Sequence, residues 1–148
     1  MIPMKLAQDL NDAGLLWKPA YNDFFAIPGS DLDDRIFVLA DMLASQTLLR
    51  GWPAITFHGT SEWAMDYVML QEVVWVPTEE QLRQELIFTL DQVEPETHLS
   101  LALQRDGRYL LNITFQQQPI TFNAPTPGET YGQALLNLLR HAPGSQNH

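Results

Sequence analysis

At 148 residues, with 45% hydrophobic and 10% aromatic side chains, the chain has enough apolar surface to fold as one ordinary domain without a covalent staple. It contains no cysteine, which removes disulfides, thiolate zinc sites and a cysteine nucleophile together. A net charge of −10, from 18 acidic and 8 basic residues, repels phosphate backbones, so nucleic acid is not an expected partner. The basic residues form no run, and no apolar stretch reaches the length of a membrane span. Lys5, Gln8 and Asp9 interrupt the only segment that could act as a leader. The expected location is therefore cytoplasmic, with no membrane partner.

Met4 to Ala13 opens the chain as a helix, with Leu6, Leu10 and Ala13 on one stripe and Gly14 as its stop. Asp23 to Ile27 predicts a strand closed by Pro28-Gly29. After the acidic turn Ser30 to Asp34, the uninterrupted apolar run Ile36 to Ala40 predicts a strand covered on both faces. Leu43 to Leu49 and Ala54 to His58 then read as a hairpin around the turn Arg50-Gly51-Trp52-Pro53, with Ile55 and Phe57 inward. Residues 42–49 are equally compatible with the start of a helix. Thr60 can cap a short helix from Ser61 to about Leu70, with Trp63 and Tyr67 one turn apart.

Glu72 to Val76 is a short β-prone run ended by Pro77. Thr78 followed by Gln81 is a capping box, with Glu79 and Glu80 favouring the helix dipole, and the helix it opens carries Leu82, Leu86 and Leu90 as its core stripe. His98 to Gln104 and Tyr109 to Phe115 alternate apolar and polar residues about Asp106-Gly107, a pair able to supply the positive φ angles of a tight hairpin. A turn at Gln116 to Pro119 and a third strand through Ile120 and Phe122 follow. Thr126-Pro127-Gly128-Glu129 then opens a last helix that packs through Tyr131, Leu135, Leu138 and Leu139.

These elements define an α+β class: a single domain over 1–141, with a largely antiparallel twisted sheet of about five to seven strands and three or four packed helices. Residues 142–148, small and polar, read as a flexible tail.

The segments Asp31 to Met42, Phe57 to Val68 and Val74 to Arg83 resemble motifs of a family of small uncharacterised bacterial proteins, over most of the chain from about Leu6 to Arg140. Members are sometimes labelled pilus-assembly proteins, by a name that belongs to an ATPase-like localisation factor. Such an ATPase needs a glycine-rich phosphate loop with lysine, and no G-x-x-x-x-G-K-[ST] pattern occurs here. The pattern after Val74 is also similar, more weakly, to small phage-encoded α/β proteins of unknown function.

His58, Glu62 and Asp66 stand where a strand turns into a helix, an arrangement open to metal or acid–base chemistry. The plainer reading is stronger, because a glutamate in a first helical turn suits the dipole without any ligand. Asp31, Asp33 and Asp34 lack the ligand count and internal glycine of a calcium loop. No serine lies in G-x-S-x-G, and Asn112-Ile113-Thr114 matches a glycosylation acceptor by chance, since it falls inside an expected strand of a chain expected to be cytosolic. Among Trp17, Trp52, Trp63 and Trp75, core positions are the ordinary expectation, with Trp52 in its turn the tryptophan best placed for a partner.

The residues thus favour a non-enzymatic protein-interaction or accessory module of bacterial type, of the kind found as immunity proteins or on mobile elements. It needs no cofactor, metal or catalytic set, and its ligand or partner surface is drawn from Trp52, His58, Glu62, Trp63 and Asp66. The partner is another protein or, in a homodimer, a second copy of the chain. The alternative is a small-molecule-binding domain or minor enzyme using His58, Glu62, Trp63 and Asp66.

Overall fold

The computed structural model describes residues 1–29, 35–39, 44–57 and 67–141. The acidic turn through Asp31, Asp33 and Asp34, the segment His58 to Asp66, and the tail 142–148 lie outside the described residues. In chain order the elements are α1 (Met4–Asp12), β1 (Phe24–Ala26), β2 (Ile36–Val38), β3 (Ala44–Leu49), β4 (Trp52–Phe57), β5 (Tyr67–Met69), a 3-10 turn (Leu70–Glu72), β6 (Val74–Trp75), α2 (Glu79–Val93), β7 (Leu99–Leu103), β8 (Tyr109–Phe115), β9 (Gln118–Ala124) and α3 (Pro127–His141). By its contacts the chain forms two compact units, one of Met1–Leu15 with Pro77–His148 and one of Leu16–Val76.

The fold class is α+β, but the expected large sheet is not formed. Among the described residues nine strands make three separate antiparallel sheets of three strands each, ordered β2-β1-β6, β3-β4-β5 and β7-β8-β9. Alternation in a sequence specifies a strand and its buried face but says nothing about which strand it joins, and here each hairpin recruits only one further strand.

In the first unit both helix starts form as their sequences require. Thr78 Oγ1 accepts the Gln81 N–H at 3.2 Å while Gln81 Oε1 accepts the Thr78 N–H at 2.9 Å. Thr126 Oγ1 accepts the Glu129 N–H at 3.2 Å and donates to the Glu129 carboxylate at 2.8 Å. Leu82, Leu86 and Leu90 of α2 are buried, as are Tyr131, Leu135 and Leu138 of α3, and the two helices pack on each other. Burial holds the Tyr131 hydroxyl above its ordinary pKa; Glu79 adds to the shift and Arg83 opposes it. α1 also packs on α3 at Gly132, where an added Cβ would come within 2.8 Å of Leu6 Cδ2.

The β7–β8 turn differs from the expected tight pair. Only Gly107 has a positive φ, +85°; its N–H donates to Gln104 O at 3.0 Å, and Gln104 N–H donates to Arg108 O at 2.8 Å. The loop is therefore Arg105 to Gly107, a form that asks for one left-handed residue and leaves Asp106 free to accept the Arg108 N–H at 2.9 Å. β8 and β9 join through Gln116 and Gln117 alone, at φ 53° and 63°. The expected turn is thus two residues shorter, and Pro119 sits in edge strand β9 opposite Thr114.

The second unit centres on Phe25, Ile27, Leu39, Ile55, Val68 and Val73, with Trp17 and Phe37 against them. Phe25 stacks on Trp17 with centroids 5.5 Å apart and meets Phe37 at 5.6 Å. Asp23, 5% exposed, accepts both Trp17 Nε1–H at 2.9 Å and the Ala20 N–H at 3.0 Å, so its carboxylate fixes the approach to β1. The apolar run after Arg35 is not a strand buried on both faces. Among the described residues β2 is an edge strand, paired only with β1, that turns Phe37 inward and leaves Ile36 38% and Val38 51% exposed. Nor does the expected helix reach Tyr67 to Leu70: pairing of Tyr67 with Thr56 and of Met69 with Ala54 draws Tyr67 to Met69 into β5, and Leu70 opens the 3-10 turn.

Candidate partner surface on the second unit

Residues 44–49 are strand, and the β3–β4 hairpin closes through Arg50 and Gly51 at φ 52° and 85°. Positive φ at both loop positions makes this the two-residue turn whose twist matches paired strands. The consequence falls on Trp52. It does not lie in the turn, as its neighbours Gly51 and Pro53 suggest, but is the first residue of β4, opposite Leu49.

Cross-strand partners share a face, and so do alternate residues of a strand. The pairs Leu49 with Trp52, Ala54 with Met69 and Thr56 with Tyr67 therefore lie on one side of this sheet. The other side carries Ile55 opposite Val68, both fully buried in the core. On the first side Trp52 is 61% exposed and Tyr67 50%, while Ala54 between them is buried. Leu49, Arg50, Trp52, Tyr67 and Met69 line an open groove of about 370 Å³. Covering the exposed part of either aromatic ring would be worth on the order of 3 kcal/mol, from a side chain of roughly 200 Å² at about 25 cal/mol per Å².

The tryptophans separate by role. Trp17 is half-buried with its indole N–H satisfied by Asp23. Trp75 is buried, and its Nε1–H meets no acceptor among the described residues. Trp52 alone among the described tryptophans is exposed. His58, Glu62, Trp63 and Asp66 lie outside the described residues. Among the described residues no cluster of three or more histidines or carboxylates could hold a metal, and no helix is long and apolar enough to cross a membrane.

Tyr67, Met69 and Leu49 line the candidate groove and are absent from the surface expected from the sequence. Tyr67 and Met69 fall in the helix expected from Ser61 to about Leu70, and Leu49 falls in the segment 42–49, which the sequence leaves open between strand and helix. A usable signal existed in Arg50-Gly51: taken as a two-residue loop, it places Leu49 and Trp52 opposite each other on one face. Comparison with protein-family models, with curated proteins and with solved structures returned no match.

Proposed function

We propose that the protein is a non-enzymatic, cytoplasmic protein-interaction module of bacterial type, and that its partner surface is the exposed face of the β3–β4–β5 sheet. The observation behind this reading is the placing of Trp52 and Tyr67, both at least half exposed, in one groove with Leu49, Met69 and Arg50. Aromatic and arginine side chains are the types that dominate binding energy at protein interfaces. Grooves lined by aromatics suit an extended segment rich in proline or other apolar residues, whose ordering entropy is already low. Arg50 gives the otherwise acidic chain a local cation, so the partner segment carries a carboxylate at the end that meets the hairpin turn.

A random dodecapeptide display library, selected on the protein, with the enriched peptides then measured on both wild type and the Trp52→Ala variant, tests this. Enrichment of extended apolar or prolyl sequences with an acidic residue, with affinity falling at least tenfold in Trp52→Ala and in Arg50→Glu, is the expected result. Since Trp52 is mostly solvated, folding stability should change by only about 0.5 kcal/mol in Trp52→Ala. Peptides that bind wild type and Trp52→Ala equally would reject the surface.

A further inference from the structure

The first unit contains a second concavity, unrelated to the Trp52 groove. On the helix-facing side of the β7–β8–β9 sheet, Ile113 pairs with Ile120 and, one layer further, Phe115 pairs with Gln118. Beyond that layer comes the Gln116–Gln117 turn. Val93 at the end of α2, and Leu138 and His141 at the end of α3, face this last layer across a cavity of about 470 Å³. That is the size of a small-molecule site. A void of about 10 Å³, sharing Phe115, Ile120, Asn137 and Leu138 with it, reaches inward to Leu90 and Ala134. It has room for one methyl-sized substituent or one water, and its apolar walls favour the former.

The rim sets the chemistry of the occupant. Gln116, Gln118 and Asn137 bring three carboxamides, each with two donors and an acceptor, and among the described residues the lining contains no lysine, arginine, aspartate or glutamate. His141 Nδ1 lies 2.8 Å from Asn137 O, and since a carbonyl only accepts, Nδ1 carries the proton. In the neutral ring Nε2 is then a further acceptor at the mouth. The Gln116 main-chain N–H donates to the Glu94 carboxylate, tying the turn to the end of α2 and placing a negative charge beside the rim. Two successive glutamines held at positive φ, where Asn-Gly is the ordinary choice, put a sparsely populated backbone conformation at the same place.

We infer that this cavity binds an uncharged small molecule with a flat or branched apolar body and an amide or hydroxyl edge. The body lies on Phe115, Ile120 and Leu138, and the edge hydrogen-bonds to the carboxamides. An anionic ligand is disfavoured because the described lining offers it no lysine or arginine and Glu94 lies close to the rim, in a chain of net charge −10.

Benzamide, benzoate and benzylamine form a matched neutral, anionic and cationic probe set. Each is titrated into protein labelled at methyl groups and at side-chain amides, with nuclear magnetic resonance as the readout. Benzamide should saturate with shifts centred on the Ile120 and Leu138 methyls and the Gln118 and Asn137 amides, and benzoate should bind at least tenfold more weakly. Gln118→Glu, at an exposed position of an edge strand, should move the preference toward benzylamine, and Gln118→Trp should abolish benzamide saturation by filling the cavity. No saturation by benzamide, shifts centred elsewhere, or benzoate binding as well as benzamide would overturn the assignment. The Trp52→Ala variant should bind benzamide unchanged, so this result is read separately from that of the sheet-face groove.

Discussion

The two units reach stability by different routes. The first rests on two helices of 15 residues each, started by side-chain caps and packed through leucines that are almost fully buried. Among the described residues of the second no strand exceeds six residues, and the core is gathered from β1, β4, β5 and the connecting segments around Phe25. Helix formation is cooperative within a segment, so a capped 15-residue helix carries much of its own determination. Strands of two or three residues carry almost none, and exist only because a distant partner pairs with them. Elements of the first kind can be read locally, and elements of the second cannot.

The largest effect that would test the contrast is a truncation in the helical core. Leu135 is fully buried at the centre of α3, so Leu135→Ala removes its burial and leaves a cavity, at a loss of about 2–5 kcal/mol. Urea unfolding followed by far-ultraviolet circular dichroism measures it. A loss under about 1 kcal/mol would mean that the helix pair is not the anchor of this unit.

A smaller effect belongs to the second unit. Asp23→Ala leaves the Trp17 indole N–H and the Ala20 N–H without their acceptor, which should cost about 1–3 kcal/mol. Asp23→Asn, which keeps one carbonyl oxygen, should recover part of the loss. Denaturant titrations of the three proteins give the ordering, and equal stability of Asp23→Ala and wild type would show that this polar contact does not set the approach to β1.

That contrast also explains what the sequence made legible. The caps at Thr78 and Thr126, the leucine stripe of α2 and the β7–β8 hairpin were readable because each depends on residues a few positions apart. Tyr67 was misread because its one-turn spacing from Trp63 fits a helix, while its pairing with Thr56 leaves no local mark. The run Ile36 to Val38 was misread for a similar reason: an apolar strand at an edge has the same composition as one in the middle of a sheet. Of the Trp52 groove, the tryptophan was legible as a residue and its companions were not. Leu49, Met69 and Tyr67 reach it through strand register, which only the two-residue turn fixes. The first unit's cavity left less trace still, because amides and apolar residues from β8, β9, α2 and α3 meet there without any motif.

The smallest effect tests whether local determination is complete even in the first unit. Gln117 adopts φ 63° in a two-residue turn that favours glycine at its second position. A non-glycine residue there gives up roughly 1–2 kcal/mol relative to the right-handed region. Gln117→Gly removes that strain, but it also gives the unfolded chain more freedom, which takes back up to about 1 kcal/mol. The expected net result is a gain of about 0.5 kcal/mol, seen as a small rise in the denaturant midpoint with an unchanged slope. Gln117 does not line the neighbouring cavity, so benzamide binding should persist in this variant. A loss of stability would mean that Gln117 makes an interaction in the folded turn worth more than the strain. The turn would then owe its form to tertiary contacts, as the strands of the second unit do, and the difference between the two units would narrow.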